Sequence, residues 1–352
     1  TITGSGAMTN YESYNSAPWY SLCGSIVQVF LPEELTTIGK NAFNSCTKLR
    51  LVTIPAKVTT IANNAFDNCQ VMSRVTFAQG STLQTIGEYA FAKCYALTSI
   101  SLPSSLKTIK KEAFRYCNKL TSITIPASCS SIEQDAFREC SELSEVVLKE
   151  GVKTIASNVF TNCPNLTSVT LPNSLIAIGT EAFNGCSSLT HITIPKNIKS
   201  IAERTFASCT SLATISLPDS LTTIGYQAFY GSGLTEIDLP NSITSYANNC
   251  FEKCRNLTSV TIPAGITSIP NEMFIECNNL TSVSIPEGVT TIGAGAFRNC
   301  NLLSVQLPNS LTKICGGGEG AFYANPNLSV LIIPDNVTTI ESYAFNRCYA
   351  LR

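Results

Sequence analysis

Histidine is nearly missing from this 352-residue chain: His191 is the only one. Catalysis by a Ser-His-Asp constellation or by a histidine-held metal therefore loses its usual base or ligand. Charge is scarce as well, at 13% of residues, and its 23 basic and 24 acidic side chains leave a net charge of -1. Such a balance offers no basic footprint to a nucleic-acid backbone or an anionic lipid surface. No apolar run reaches the roughly eighteen residues of a membrane-spanning helix, and residues 1–20 lack the charged-then-apolar order of a secretory leader. Neither a phosphate-binding loop nor an acid/base carboxylate pair can be picked out; Gly316-Gly317-Gly318 has no G-x-x-x-x-G-K context and reads as a flexible insertion. The chain is expected to be no enzyme, to carry no cofactor or metal, and to insert in no membrane.

What is abundant is repetition. Aligned on Ala-Phe followed by Cys, the chain places fourteen phenylalanines from Phe43 to Phe345, mostly in steps of 23 residues. Steps of 25 lead into Phe91 and Phe322, where Ala78–Leu83 and Cys315–Gly320 carry insertions, and one step of 22 follows Phe229. One unit reads Leu49-x-x-Val52-x-Ile54-Pro55-x-x-Val58-x-x-Ile61, then Ala65-Phe66 and Cys69. The spacing predicts a strand from Leu49 to about Ile54, ended by Pro55, which cannot donate to a ladder. Phe66 and Cys69, three apart, are expected on one inward side of a short helical or 3-10 turn. A coil of this kind cannot bury its own apolar side, so stability has to come from stacking.

Units such as Leu280-Thr281-Ser282-Val283-Ser284-Ile285-Pro286, running on to Ala296-Phe297, resemble the BspA-like leucine-rich repeats of bacterial and protozoan surface proteins. The lead-in Ile2-Thr3-Gly4-Ser5-Gly6, with Ala17-Pro18-Trp19-Tyr20, is similar to what precedes such arrays. The resemblance implies an α/β solenoid: a right-handed coil with a parallel concave β-sheet and short helical or 3-10 turns or loops on its other side. It also implies a secreted or cell-surface protein of host-associated microbes acting in adhesion, and hence in host–microbe interaction. The expected organisation is an N-terminal cap over 1–31 and about fourteen repeats over 32–352. Thr1-Ile2-Thr3 reads as a strand under way, and Ala350-Leu351-Arg352 stops where the next would start. The expectation is therefore a piece of a longer protein, truncated at the C-terminus, with signal and anchor outside it and an edge open to self-association. Lys57 stands where ordinary leucine-rich repeats place asparagine, and cysteine forms the regular ladder instead.

Twelve of the sixteen cysteines, from Cys46 to Cys348, share that one repeat position. Periodicity argues for packing as small hydrophobes. Buried free thiols are the first expectation, because stacked Cβ vectors run parallel; one or more disulfides are the alternative. Cys23 and Cys315 are expected to be the most exposed.

Strand residues between Leu, Val and Ile should face away from the core, in a mostly hydroxyl row running from Thr53 through Thr124, Thr170, Thr193 and Thr261 to Ile332. Threonine simply suits an exposed β surface. The same strip could also hold a protein or glycan of a host or neighbouring cell. Its polar departures, Arg74, Glu145, His191, Glu236 and Asp238, are then the candidate contacts beside Thr124, Thr170 and Thr193. The inserted loops near Gly80 and Gly317 are further candidates. A spacer displaying another domain is the alternative function, and an ice or mineral binder a third. The Asn-Leu-Thr sequons are by-products of the repeat.

Overall fold

A computed structural model describes residues 2–352; Thr1, read above as part of a strand, lies outside them. The chain forms two compact units, Thr1–Cys186 and Ser187–Arg352. Each is a parallel-strand β-solenoid with seven of the repeated phenylalanines, Phe43 to Phe183 in the first and Phe206 to Phe345 in the second.

Most coils contribute to two strand rows. The first row is the expected one, although it starts later: Leu51–Ile54 and not Leu49, whose N–H turns back to the Cys46 carbonyl at 3.0 Å. Along it burial alternates, with Val52 and Ile54 inside and Leu51 and Thr53 outside. The second row is short, Thr60–Ile61 in the same coil, and was not foreseen. In the first unit it builds an eight-stranded parallel sheet from Gly6–Ala7 to Ala177–Ile178. In the second unit it is interrupted between Ser245–Tyr246 and Ser268–Ile269. Elsewhere the residue after the row's isoleucine donates to the preceding coil, as Gly293 does to Ile269 at 2.9 Å, but here that residue is Pro270, which has no N–H.

The return leg is neither strand nor helix, so the α/β description gives way to a β-solenoid. Tyr20–Leu22 is the only helical segment among the described residues. The Phe-Cys stretch is instead a run of tight turns. In the coil of Phe66, the N–H groups of Ala65, Asp67 and Cys69 close turns within the coil, on Ala62, Asn64 and Phe66. Those of Asn64, Phe66 and Asn68 donate to Glu88, Ala90 and Ala92 of the next coil, all at 2.8 Å. A helix would spend every N–H inside its own coil, whereas this alternation satisfies both the turn and the stack. Positive φ accompanies it two residues before and after each phenylalanine except Phe322, which has it only after, at Ala324; the values are 56° and 61° for Asn64 and Asn68 and 55° and 62° for Glu112 and Tyr116. Left-handed backbone costs an L-residue roughly 1–2 kcal/mol, so the inter-coil bonds have to offset it at every turn.

Inside, the phenylalanines stack. In the first unit, ring centroids from Phe43 to Phe183 lie 5.1–5.7 Å apart with planes within 15°. Trp19 adds a ring on Phe43 at 5.6 Å and donates its indole N–H to the Ala42 carbonyl at 2.7 Å. The second unit repeats the column from Phe206 to Phe345.

The cysteines form a second column with a specific bond. Cys69, Cys94, Cys117, Cys140 and Cys163 each direct Sγ at the carbonyl of the phenylalanine in the preceding coil, at 3.2–3.4 Å. Where the ladder cysteine is replaced by Asn325, its amide takes over, donating to Phe297 O at 2.7 Å and to Phe322 O at 2.9 Å. The position therefore asks for a small buried donor.

Two cysteine expectations are corrected. Cys23 is not exposed but buried at 3%, and it is disulfide-bonded to Cys46, with Cα atoms 4.1 Å apart. Cys23 is the rung one coil before Cys46. The residue 26 places before Cys46 is Tyr20, in the 3-10 segment, so no column phenylalanine carbonyl stands over Cys46 and its sulfur meets Cys23 instead. The other fourteen thiols are free; Cys315 and Cys348 are half-buried and the rest buried.

Candidate binding surface

The outer face of the first strand row carries every candidate residue. In the first unit Arg74, Thr124, Glu145 and Thr170 are exposed on successive strands; Arg74 lies opposite Leu51, and Glu145 opposite Ser122 and Ser168. No ion pair joins Glu145 to another described residue. In the second unit His191 and Thr193 are exposed in His191–Thr193, paired with Thr214–Ser216. The His191 ring lies flat along this face, with Nδ1 2.9 Å from Thr214 Oγ1 and Nε2 3.2 Å from Thr193 Oγ1. Cys186, in the other unit, points its sulfur at Phe160 O.

Two of the clefts in this face open where the first-row ladder fails. In the second unit Glu236–Leu239 form no strand and pair with neither Thr214–Ser216 nor Ser259–Thr261. Ser232 and Leu234 of this 22-residue coil are two apart where most coils place Cys and Leu three apart, a spacing shared by Cys300 and Leu302, where the strand Ser304–Gln306 still forms. Along Glu236–Leu239 the in-and-out alternation is kept, but the ladder is not. The result is a cleft of about 680 Å³, walled by Thr214, Ser216, Ser259 and Thr261 and carrying Glu236 and Asp238. Both carboxylates are exposed, and neither has a hydrogen bond or ion pair with another described residue. In the first unit the coil after the Ala78–Leu83 insertion keeps only one bridge, Arg74 to Ser99, and a 300 Å³ cleft follows, lined by Ser99, Ser101, Ser122, Thr124 and Lys149.

The structure thus brings Glu236 and Asp238 together and sets His191 and Thr193 beside them through Thr214. Thr124 lies in the other cleft; Arg74, Glu145 and Thr170 remain separate positions on the strip. The irregular step lengths were visible in the sequence, but not that a cleft would form on the sheet. Of the insertions, Cys315–Gly320 is tied down by Gly316 N–H to Glu341 at 2.8 Å and by an Arg298–Glu319 ion pair, while Gly80 stands in the open.

No reactive group accompanies these residues. Burial pushes two of the thiols up, Cys163 of the ladder to about 12 and Cys129, outside the ladder, to about 11, which disfavours their thiolates near neutral pH. No three His, Cys, Asp or Glu side chains among the described residues are grouped to hold a metal ion. No helix is long and apolar enough to cross a membrane.

A stacked parallel β-solenoid with an inward Leu/Val/Ile strand pattern and a regular donor ladder defines a leucine-rich-repeat protein. The chain belongs to the BspA type leucine rich repeat family, whose region matches in six overlapping copies at residues 15–143, 75–190, 107–232, 177–279, 199–318 and 267–352. Solved structures agree. A leucine-rich repeat protein from Bacteroides ovatus is 28% identical over 81% of this chain and 88% of its own, with a TM-score of 0.54. A leucine rich cell surface protein from Faecalibacterium prausnitzii is 26% identical over 94% and 87%, with a TM-score of 0.53. A leucine-rich repeat protein from Eubacterium ventriosum is 26% identical over 98% and 89%, with a TM-score of 0.52. No curated protein matches the sequence.

Proposed function

We propose that this chain is a surface-displayed binding module, acting in adhesion and not in catalysis, which holds a protein or glycan on the outer face of its first strand row. The observation that carries this reading is the row itself. Thr53, Thr76, Thr124, Thr170, Thr193 and Thr261 are all exposed on a rigid backbone, and the strip is interrupted by two clefts instead of being filled by its own side chains. Rigid scaffolds presenting irregular positions suit recognition, since little ordering entropy remains to be lost on binding. The likeness to a cell surface protein of F. prausnitzii supports an extracellular setting.

The test is binding to a panel of matrix proteins, mucins and glycans, beside a variant carrying Thr124→Lys, Thr170→Lys and Thr193→Lys. Binding that the variant loses supports the reading. Binding that the variant keeps would move the site off this face, and no binding by either would leave a spacer.

A further inference from the structure

We infer that the cleft at Glu236–Leu239 receives an extended, lysine- or arginine-bearing segment of a protein partner, an assignment that rests on the binding-module reading above. Glu236 and Asp238 are two residues apart, and burial alternates along their stretch, with Ile237 and Leu239 inside. Both carboxylates therefore stand on the outward side. An extended peptide has the same two-residue period, so a segment with basic side chains at alternate positions presents them in matching register.

Charge chooses the occupant. No lysine, arginine or histidine lines the cleft, and its two carboxylates have no hydrogen-bond or ion-pair partner among the described residues. Some acids elsewhere are matched across coils, as Glu34 is by Lys57 and Glu142 by Lys119. The main chain chooses the form. Glu236–Leu239 make none of the ladder bonds that engage the first row in neighbouring coils, so their peptide groups are open to another extended chain, the mode by which strands add to an unpaired edge. A glycan would find the hydroxyls but no aromatic ring to stack on, because none of the lining residues is aromatic. At about 680 Å³ the cleft falls within the roughly 300–1,000 Å³ usual for a ligand site.

The experiment measures fluorescence anisotropy of the full chain with a labelled, capped octapeptide of alternating Lys and Thr. Companion probes are the Gln-Thr octapeptide, the Lys-Thr octapeptide N-methylated at alternate residues, and chitotetraose. The Lys-Thr peptide should bind best, with affinity falling as salt rises. Glu236→Gln with Asp238→Asn should weaken it about tenfold, the sum of two partly exposed ion pairs, while Glu203→Gln, at another exposed acid of the same unit, leaves it unchanged. N-methylation should weaken it as well. An unchanged unfolding midpoint in the double variant shows that the loss is not misfolding, since neither side chain makes an internal contact. Absence of Lys-Thr binding, or binding that the double variant retains, overturns the proposal. Chitotetraose binding lost in the double variant, with no peptide binding, overturns it in favour of a glycan. If the panel ligands bind and respond to the Thr→Lys set while the peptide does not bind, the cleft proposal alone fails; peptide binding with a silent panel breaks only the wider reading.

Discussion

Phe137→Ala should be among the most damaging single changes in the first unit. Phe137 is fully buried between the rings of Phe114 at 5.1 Å and Phe160 at 5.7 Å. Truncation removes its burial and leaves a cavity that stacked coils cannot close, a combined cost of roughly 3–5 kcal/mol for phenylalanine. Two aromatic contacts go with it, each contributing about 0.5–1.5 kcal/mol beyond area, which places the expectation near the top of that range. Phe345 is the matched control: it is half-buried and has one ring neighbour, Phe322 at 5.4 Å. Its truncation should cost about 1–2 kcal/mol, in proportion to the smaller area removed. Urea unfolding followed by circular dichroism measures both, with the m-value fitted freely because a lesion in a nearest-neighbour stack can divide its transition. Equal costs at the two positions would refute the column as the spine of the unit.

The remaining expectations concern the ladder, the turns and acid stability. Titration of the unfolded chain without reductant should find fourteen thiols and not sixteen, and a count of sixteen would remove the Cys23–Cys46 bond. In the folded chain at pH 7, iodoacetamide should modify Cys315 first and Cys348 slowly; mass spectrometry finding modified Cys140 or Cys163 would contradict burial of the column. At Lys93, exposed at φ 56°, replacement by valine should destabilise by about 1–2 kcal/mol and replacement by glycine by less than about 0.5 kcal/mol; denaturant midpoints that rank them the other way would reject the left-handed turn. Burial pushes the Glu112 carboxyl up, but hydrogen bonds from Arg115 at 2.7 Å and from Tyr89 at 2.7 Å outweigh it and hold the group below its usual range. A depressed folded value stabilises above the unfolded pKa of about 4.3 and is lost as pH falls through the folded one. Glu112→Gln should therefore flatten the stability profile below about pH 5, and an unchanged slope in acid would show that the pair contributes nothing.

The coil was legible because its signal repeats: one phenylalanine per turn fourteen times, proline after the strand in twelve coils, and inward Val and Ile all point the same way. The return leg was not. Phe and Cys three apart fit a helical turn and a tight-turn run equally well, and only the sideways bonds between coils, such as Phe66 N–H to Ala90, decide between them. The short second row escaped for a related reason, since two residues such as Thr60–Ile61 carry no periodicity. Cys23 was misjudged because it was treated as part of an irregular lead-in, although it lies one repeat before Cys46. Of the candidate surface, each outward side chain followed from strand alternation. The clefts did not, because the short spacing at Ser232–Leu234 also occurs at Cys300–Leu302, where a strand forms, so only the neighbouring strands show where the ladder fails.

The most direct test of the binding-face account is a lysine scan read by adhesion. Thr53, Thr124, Thr170, Thr193 and Thr261 would each be replaced by lysine on the first-row face, and Gln84 and Ile176 on the second-row side, where both are exposed. Retention of cells or matrix on surfaces coated with each variant would then be compared with the parent chain. Losses confined to the first-row positions are predicted, with Gln84→Lys and Ile176→Lys behaving as the parent. Losses at the second-row positions, with the first-row variants unaffected, would contradict the account and place recognition on the other side of the coil.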